Sequence, residues 1–281
     1  MRLLKNLAPI LVLACLLGGT ALIAGCVTTS GRETTARALD GVLAGSQRTV
    51  ADRARDRYRH PKETLLFFGI RPQTRVLQSW PESGWYTKII APLVSAQGQY
   101  YAGVISPDPK SRFIQARLAN YQRLLASRPD LYGRVKVVTF PLDGRDVVPP
   151  GSVDMVLSFR DLHEWMSLGD AQQALVTVYR ALAPGGVFGV VDNRGDPALP
   201  QDPRAKNGYV RQDYAIRLIE SAGFRLVATS EVNANPRDTK NYPCGVWALP
   251  PEYRLGNIDR ARYEAIGESD RFTLKFVKPE H

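Results

Sequence analysis

Cysteine and histidine are scarce, three of each in 281 residues. They form no cluster at metal-ligand spacing, so no zinc site is expected. Gly-x-Ser-x-Gly and phosphate-loop patterns are absent, which removes the usual serine-hydrolase and P-loop chemistries. Gly-x-Gly-x-x-Gly is missing after the first expected strand, which argues against a dinucleotide-dependent oxidoreductase. No internal repeat or low-complexity tract occurs. With 44% hydrophobic and 23% charged residues, the composition is ordinary for a globular chain. Disordered, collagen-like and disulfide-dense classes fall away.

Basic residues outnumber acidic ones, 37 to 27, for a formal charge of +10. The densest basic stretch, residues 48–62, is interrupted by Asp52 and Asp56 and closed by Glu63. Arg53, Arg55, Arg57 and Arg59 are two apart, so on a helix they spread around the barrel. No nucleic-acid signature accompanies them. The expectation is a solvated helix face and no nucleic-acid partner.

One long uncharged run is present. Arg2 and Lys5 precede residues 7–24, which carry no charge. A basic start before an apolar stretch reads as an export signal. A transmembrane helix is the competing reading, because the run just reaches the ~17 residues needed to span a bilayer. Pro9 and the Gly18-Gly19 pair weaken a long helix, and the run ends in Leu22-Ile23-Ala24-Gly25-Cys26. That pentapeptide resembles the bacterial lipobox, which implies cleavage after residue 25 and lipidation of Cys26. Each buried acyl methylene would contribute about 0.8 kcal/mol to membrane anchoring. Val27, rather than Asp, after the cysteine implies the outer membrane and a periplasmic location. Loss of Arg2 and Lys5 lowers the charge from +10 to +8. Only Cys244 then keeps a free thiol, so no intrachain disulfide is expected.

Residues 1–25 are thus read as a lipoprotein signal peptide, 26–33 as a polar tether and 34–74 as an N-terminal helical addition. Over residues 75–281 short apolar runs alternate with amphipathic segments. Strands are expected at 76–77, 100–105, 135–140, 154–159, 187–191, 225–232 and 272–277. Helices are expected at 85–95, 111–126, 171–183 and 209–222. Ile114, Leu118, Tyr121 and Leu125 share one helical face, as do Leu175, Val178 and Leu182. This alternation predicts an α/β domain, a mostly parallel sheet covered on both faces. Ligands bind such sheets beyond the carboxyl ends of the strands.

Three segments follow strands or helices in a telling order. The first strand leads into Gln78-Ser79-Trp80-Pro81-Glu82-Ser83-Gly84-Trp85-Tyr86, where a glycine meets a helix start suited to anions. The fourth closes on Phe159-Arg160-Asp161-Leu162-His163-Glu164-Trp165. Leu182-Ala183-Pro184-Gly185-Gly186 then precedes a buried strand, and Ala222-Gly223-Phe224 ends the last helix. This set resembles the class I S-adenosylmethionine (SAM)-dependent methyltransferases over residues 75–277, and most closely their exported bacterial members. The resemblance implies a Rossmann-like sheet of seven strands with the last antiparallel, and SAM as cofactor. It further implies that Gln78, Trp80, Gly84, Trp85, Ser106, Asp143 and Arg160 face that cofactor. Arg160 is placed to meet a carboxylate of cofactor or substrate, or Asp154 locally.

Departures from the family stand beside the matches. Glu82 and Ser83 occupy places where relatives carry glycine, Gln78 replaces an acid, and Val104 stands where an acid holds the ribose. A lost hydrogen bond to a charged group costs about 1.5–3 kcal/mol, or roughly tenfold to a hundredfold in affinity. His163, with Asp161 beside it, is placed to act as a general base; packing against Trp165 is the alternative. Residues 233–271, far longer than ordinary loops, read either as a substrate-recognition lid or as rigid decoration. Two functions remain open. One is an exported, lipid-anchored methyltransferase acting on a small-molecule or envelope substrate. The other is a non-catalytic envelope binding protein that keeps the fold.

Overall fold

The computed structural model describes the backbone of residues 19–280 and the side chains of residues 31–280. Most of the signal peptide, residues 1–18, and the side chain of Cys26 lie outside the described residues. Among the described residues no helix is long and apolar enough to cross a membrane. Helix α1 (Gly19–Ala44) runs through residues 26–33, so the segment expected to be a tether is helical. The break expected at Gly45-Ser46 follows it. Helix α2 (Val50–Ala54) starts on Thr49, whose hydroxyl accepts the Asp52 N–H at 3.0 Å, while Asp52 accepts the Thr49 N–H at 2.8 Å. This reciprocal box satisfies donors that a helix start leaves orphaned. Helices α3 (Asp56–Arg59) and α4 (Pro61–Phe68) follow, with Pro61 in the first turn and Gly69 closing the second at φ 86°.

The alternating region forms one sheet from β1 (Arg75–Ser79), β2 (Gln99–Val104), β3 (Lys136–Thr139), β4 (Val153–Phe159), β5 (Leu182–Asn193), β6 (Arg225–Ser230) and β7 (Arg271–Val277). Its order is β3-β2-β1-β4-β5-β7-β6. Strands β1 to β5 are parallel, and β7 enters antiparallel between β5 and β6. The expected seven-stranded architecture is the one observed. Helices α5 (Thr87–Val94), α6 (Arg112–Ser127), α7 (Pro129–Tyr132), α8 (Leu162–Leu168), α9 (Ala171–Ala181), α10 (Gln212–Ser221) and α11 (Arg260–Ile266) complete the chain.

Successive residues of a strand face opposite sides, which splits the core in two. Leu77 and Val156 meet Trp165, Leu175, Val178 and Ile219 from α8, α9 and α10. Val76, Met155 and Leu157 meet Leu39, Leu65, Phe68, Ile89 and Tyr121 from α1, α4, α5 and α6. Strand β5 begins earlier than expected. Gly185 adopts φ 74° and its N–H reaches the Lys278 carbonyl at 2.9 Å, so Pro-Gly-Gly pairs with the chain end instead of turning away. The long connection after β6 is a packed element. Tyr242, Val246, Leu249 and Tyr263 build a small core of their own with Tyr209.

The basic stretch is a solvated face only in part: Arg53 and Arg57 are exposed, and the other arginines turn inward. Arg48 is 2% exposed, pairs with Asp56 at 2.5 Å and lies 5.2 Å from the centre of the Trp85 ring. Arg55 and Arg59 both reach Glu268, just before β7, at 2.6 and 3.1 Å. A buried carboxylate far along the chain turns these arginines inward.

Candidate functional site

The strand order reverses between β1 and β4. A cavity of about 210 Å³ opens beyond the carboxyl ends of these strands, where an open α/β sheet binds its ligands. Gln78 forms part of its floor at 3% exposure, and its amide oxygen accepts the Tyr100 hydroxyl at 2.7 Å. The Thr87 hydroxyl stands 3.0 Å from the hydroxyls of both Tyr100 and Tyr121. This buried chain fixes the end of β1 against α5 and α6.

The turn after β1 holds Trp80 at φ 34°, Glu82 at φ 51° and Gly84 at φ 74°. The left-handed region suits glycine and strains residues with a Cβ. The strained residues of the turn are therefore Trp80 and Glu82; Ser83, the other glycine replacement, needs no positive φ. Arg160, one residue beyond β4, adopts φ 71°. Such conformations cost of order 1–3 kcal/mol each and gather at functional sites. Here they surround one cavity.

Of the residues expected to face the cofactor, Gln78, Trp80, Trp85 and Arg160 line the cavity. Gly84 supports the turn from behind, so tightly that a Cβ there would lie 2.1 Å from Leu124 Cδ2. Tyr86 and Phe159 add a flat wall, their rings stacked at 3.5 Å. Burial pushes the Tyr86 phenol up to about 12, so it stays neutral. Ser106 and Asp143 are exposed and outside the cavity, and Asp143 is held by Arg145 at 2.7 Å. Beyond β2 lies a void of only about 20 Å³, between Val104, Ile105, Leu118 and Tyr121. Trp80, Pro81 and Glu82 separate it from the main cavity, and Glu82 is ion-paired to Arg117 on its rim.

His163 and Asp161, the residues expected to be catalytic, are each held by a close partner of their own. Neither lines the cavity. His163 is 1% exposed, its Nδ1 is 2.7 Å from Asp192, and its ring lies 6.2 Å from that of Trp247. Burial pulls its pKa down, but Asp192 and then Glu164 outweigh this and raise it to about 9. Asp161 is 2% exposed, and burial lifts its carboxyl well above the usual range despite a 2.5 Å hydrogen bond from the Ser79 hydroxyl. It ties β1 to the start of α8.

Arginines missed by the sequence reading complete the lining: Arg55, Arg59 and Arg271. All three converge on Glu268, at 2.6, 3.1 and 2.5 Å. Burial pushes the Glu268 carboxyl up, yet Arg271, Arg59 and Arg55 overcome it and hold the group well below its ordinary range. Arg55 and Arg59 are four apart, the one local hint that they share a face. Arg271 comes from the far end of the sequence.

No family model matches this chain, and no curated protein does. Solved structures do. A SAM-dependent methyltransferase from Aquifex aeolicus aligns over 80% of this chain and 93% of its own, at 16% identity and a TM-score of 0.53. This chain has the class I methyltransferase fold. The [4+2]-cyclase SpnF is similar as well, at 16% identity and a TM-score of 0.59, over 85% of this chain and 86% of that one. A methyltransferase and a cyclase on one architecture show that the fold does not select the reaction. The chemistry has to be argued from the cavity.

Proposed function

We propose that this chain is a SAM-dependent methyltransferase whose cofactor enters the cavity between β1 and β4. The observation that supports this reading is the strained turn. Trp80 and Glu82 hold the left-handed backbone beside Gly84 although they are not glycines, and Trp80 Nε1 is buried with no hydrogen-bond partner among the described residues. An unused donor on a strained wall suits a polar ligand. When bound, SAM supplies a methyl group on a positively charged sulfur, open to in-line displacement. Gln78, Trp80 and the backbone of the turn would hold its amino-acid half, and the Tyr86–Phe159 wall would exclude water from the methyl. The adenosine half needs more room than the void beyond β2 offers. Its rim is the Glu82–Arg117 pair, whose side chains are 55% and 31% exposed. Exposed pairs contribute about 0–1 kcal/mol, so a ligand can displace this one.

Titration of the detergent-solubilised chain with SAM and with S-adenosylhomocysteine, followed by calorimetry, tests the reading. Saturable heat with both ligands is expected, and Gly84→Arg should abolish it. Absence of heat at millimolar ligand leaves the second reading, a binding protein on the same fold. That reading draws on the nearly filled ground beyond β2 and on Val104 in place of a ribose-binding acid. We further propose that the chain is exported and anchored through acylated Cys26, as the lipobox-like residues 22–26 suggest. Labelled palmitate should enter the chain and be lost in Cys26→Ser.

A further inference from the structure

The cavity carries more positive charge than the fold uses. Four guanidinium groups line it, from Arg55, Arg59, Arg160 and Arg271. Glu268 neutralises the equivalent of one while holding three of them. Two further acids lie on the lining, but Glu82 is paired with Arg117, and Glu252 is exposed on the rim. Burial is severe at the inner end: Arg271 is 2% exposed, and burial lowers the Arg59 pKa to about 10. Charges buried to this degree require partners, because desolvation opposes them.

Arg160 is the residue that turns this imbalance into a site. Its guanidinium makes no hydrogen bond or ion pair with any described residue, and its Nε is buried and unpartnered. Asp154, the acid expected beside it, is taken by Arg75 instead. Arg55 Nη2 is a second buried donor without a partner. The stacked Tyr86 and Phe159 rings supply the apolar side of the space. A fork of unfilled N–H donors next to an aromatic wall matches a planar oxyanion carried on an apolar body.

We infer that the substrate of this site is a small molecule bearing a carboxylate or phosphate, which Arg160 grips with Arg55, Arg59 and Arg271 around it. The inference rests on the methyltransferase reading for the word substrate, but the anion site stands on its own geometry. It assigns the two ends of one cavity to different ligands. The β1 side, at Gln78 and Trp80, belongs to the cofactor. The β4, β5 and β7 side, at Arg160, Val191 and Arg271, belongs to the anion.

Calorimetry of the detergent-solubilised full chain with benzoate and, separately, phenyl phosphate tests this. At least one probe should bind, and the preferred probe distinguishes carboxylate from phosphate recognition. Arg160→Gln should weaken that binding by about tenfold or more, as expected for a lost charged hydrogen bond. The exposed Arg225→Gln should leave it unchanged. If Arg160→Gln fails to fold, Arg160→Lys replaces it, keeping the charge, losing the fork and still weakening binding. No binding of either probe at millimolar concentration overturns the inference, as does equal weakening by Arg160 and Arg225 substitutions. SAM is titrated into the same samples. SAM binding without probe binding sinks the anion site and spares the methyltransferase reading. Probe binding without SAM binding does the reverse.

Discussion

Charge at position 163 follows from what surrounds the imidazole rather than from its place after a strand. Asp192 lies 2.7 Å from Nδ1 and also accepts the His163 backbone N–H at 3.0 Å, so one carboxylate fixes both ring and helix start. The folded pKa of about 9 stands above the ordinary 6.5. The linkage sign is therefore that of a stabilising proton: the contribution is complete below pH 6.5 and is lost as pH rises through about 9. Melting temperature should fall over that window. Asp192→Asn should shrink the fall, since burial disfavours the charged ring and only Glu164 is left to favour it. His163→Gln leaves a buried carboxylate without its cation and should cost about 3–5 kcal/mol in denaturant unfolding. The affinity for SAM should stay within about threefold, near the ~0.5 kcal/mol coupling of sites without shared contacts. A large loss of affinity in a still-folded protein would return His163 to the site.

On the methyltransferase reading, the turn after β1 is the element on which cofactor affinity would depend. The turn itself was legible, because a strand leading through a glycine into a helix leaves a local pattern. It did not reveal which residues carry the strain. Replacement of a glycine is visible in a sequence, but a left-handed φ at Trp80 is set by pairing, its N–H reaching the Gly103 carbonyl of β2 at 2.8 Å. Glu82→Gly should relieve its φ of 51° and remove the ion pair to Arg117. Loss of an exposed pair accounts for about 1 kcal/mol at most, so SAM should bind up to about fivefold more tightly. Weaker binding would mean that Glu82 holds the cofactor rather than obstructing it. Gly84→Ala tests the same element from behind. Its φ of 74° and the 2.1 Å approach of Leu124 predict a destabilisation of about 1–3 kcal/mol, read from urea midpoints.

At the scale of the whole molecule, one carboxylate, Glu268, joins the N-terminal helices to the start of β7, beside the packing of Leu39, Leu65 and Phe68 against the sheet. The strand and helix alternation was legible because each element obeys its own period over a few residues. The cavity's charge was not, because Arg55, Arg59, Arg160, Glu268 and Arg271 meet only through the topology that places β7 beside β5. The same separation hid the inward turn of the basic stretch, which resembles a solvated helix until Glu268 is in place. Arg55 and Arg59 bring the N-terminal helices to Glu268, and Arg271 joins it to the first residue of β7. Glu268→Gln leaves three guanidiniums facing one another, Arg271 buried and Arg59 only 11% exposed. Breaking a buried charge pair from one side costs about 3–5 kcal/mol. The loss should come first as release of the N-terminal helices. Hydrogen exchange should then accelerate in α2 to α4 before it does in β1, β4 and β5, and proteolysis should begin near residues 55–60. Uniform loss of protection across the sheet would show instead that Glu268 serves the global core.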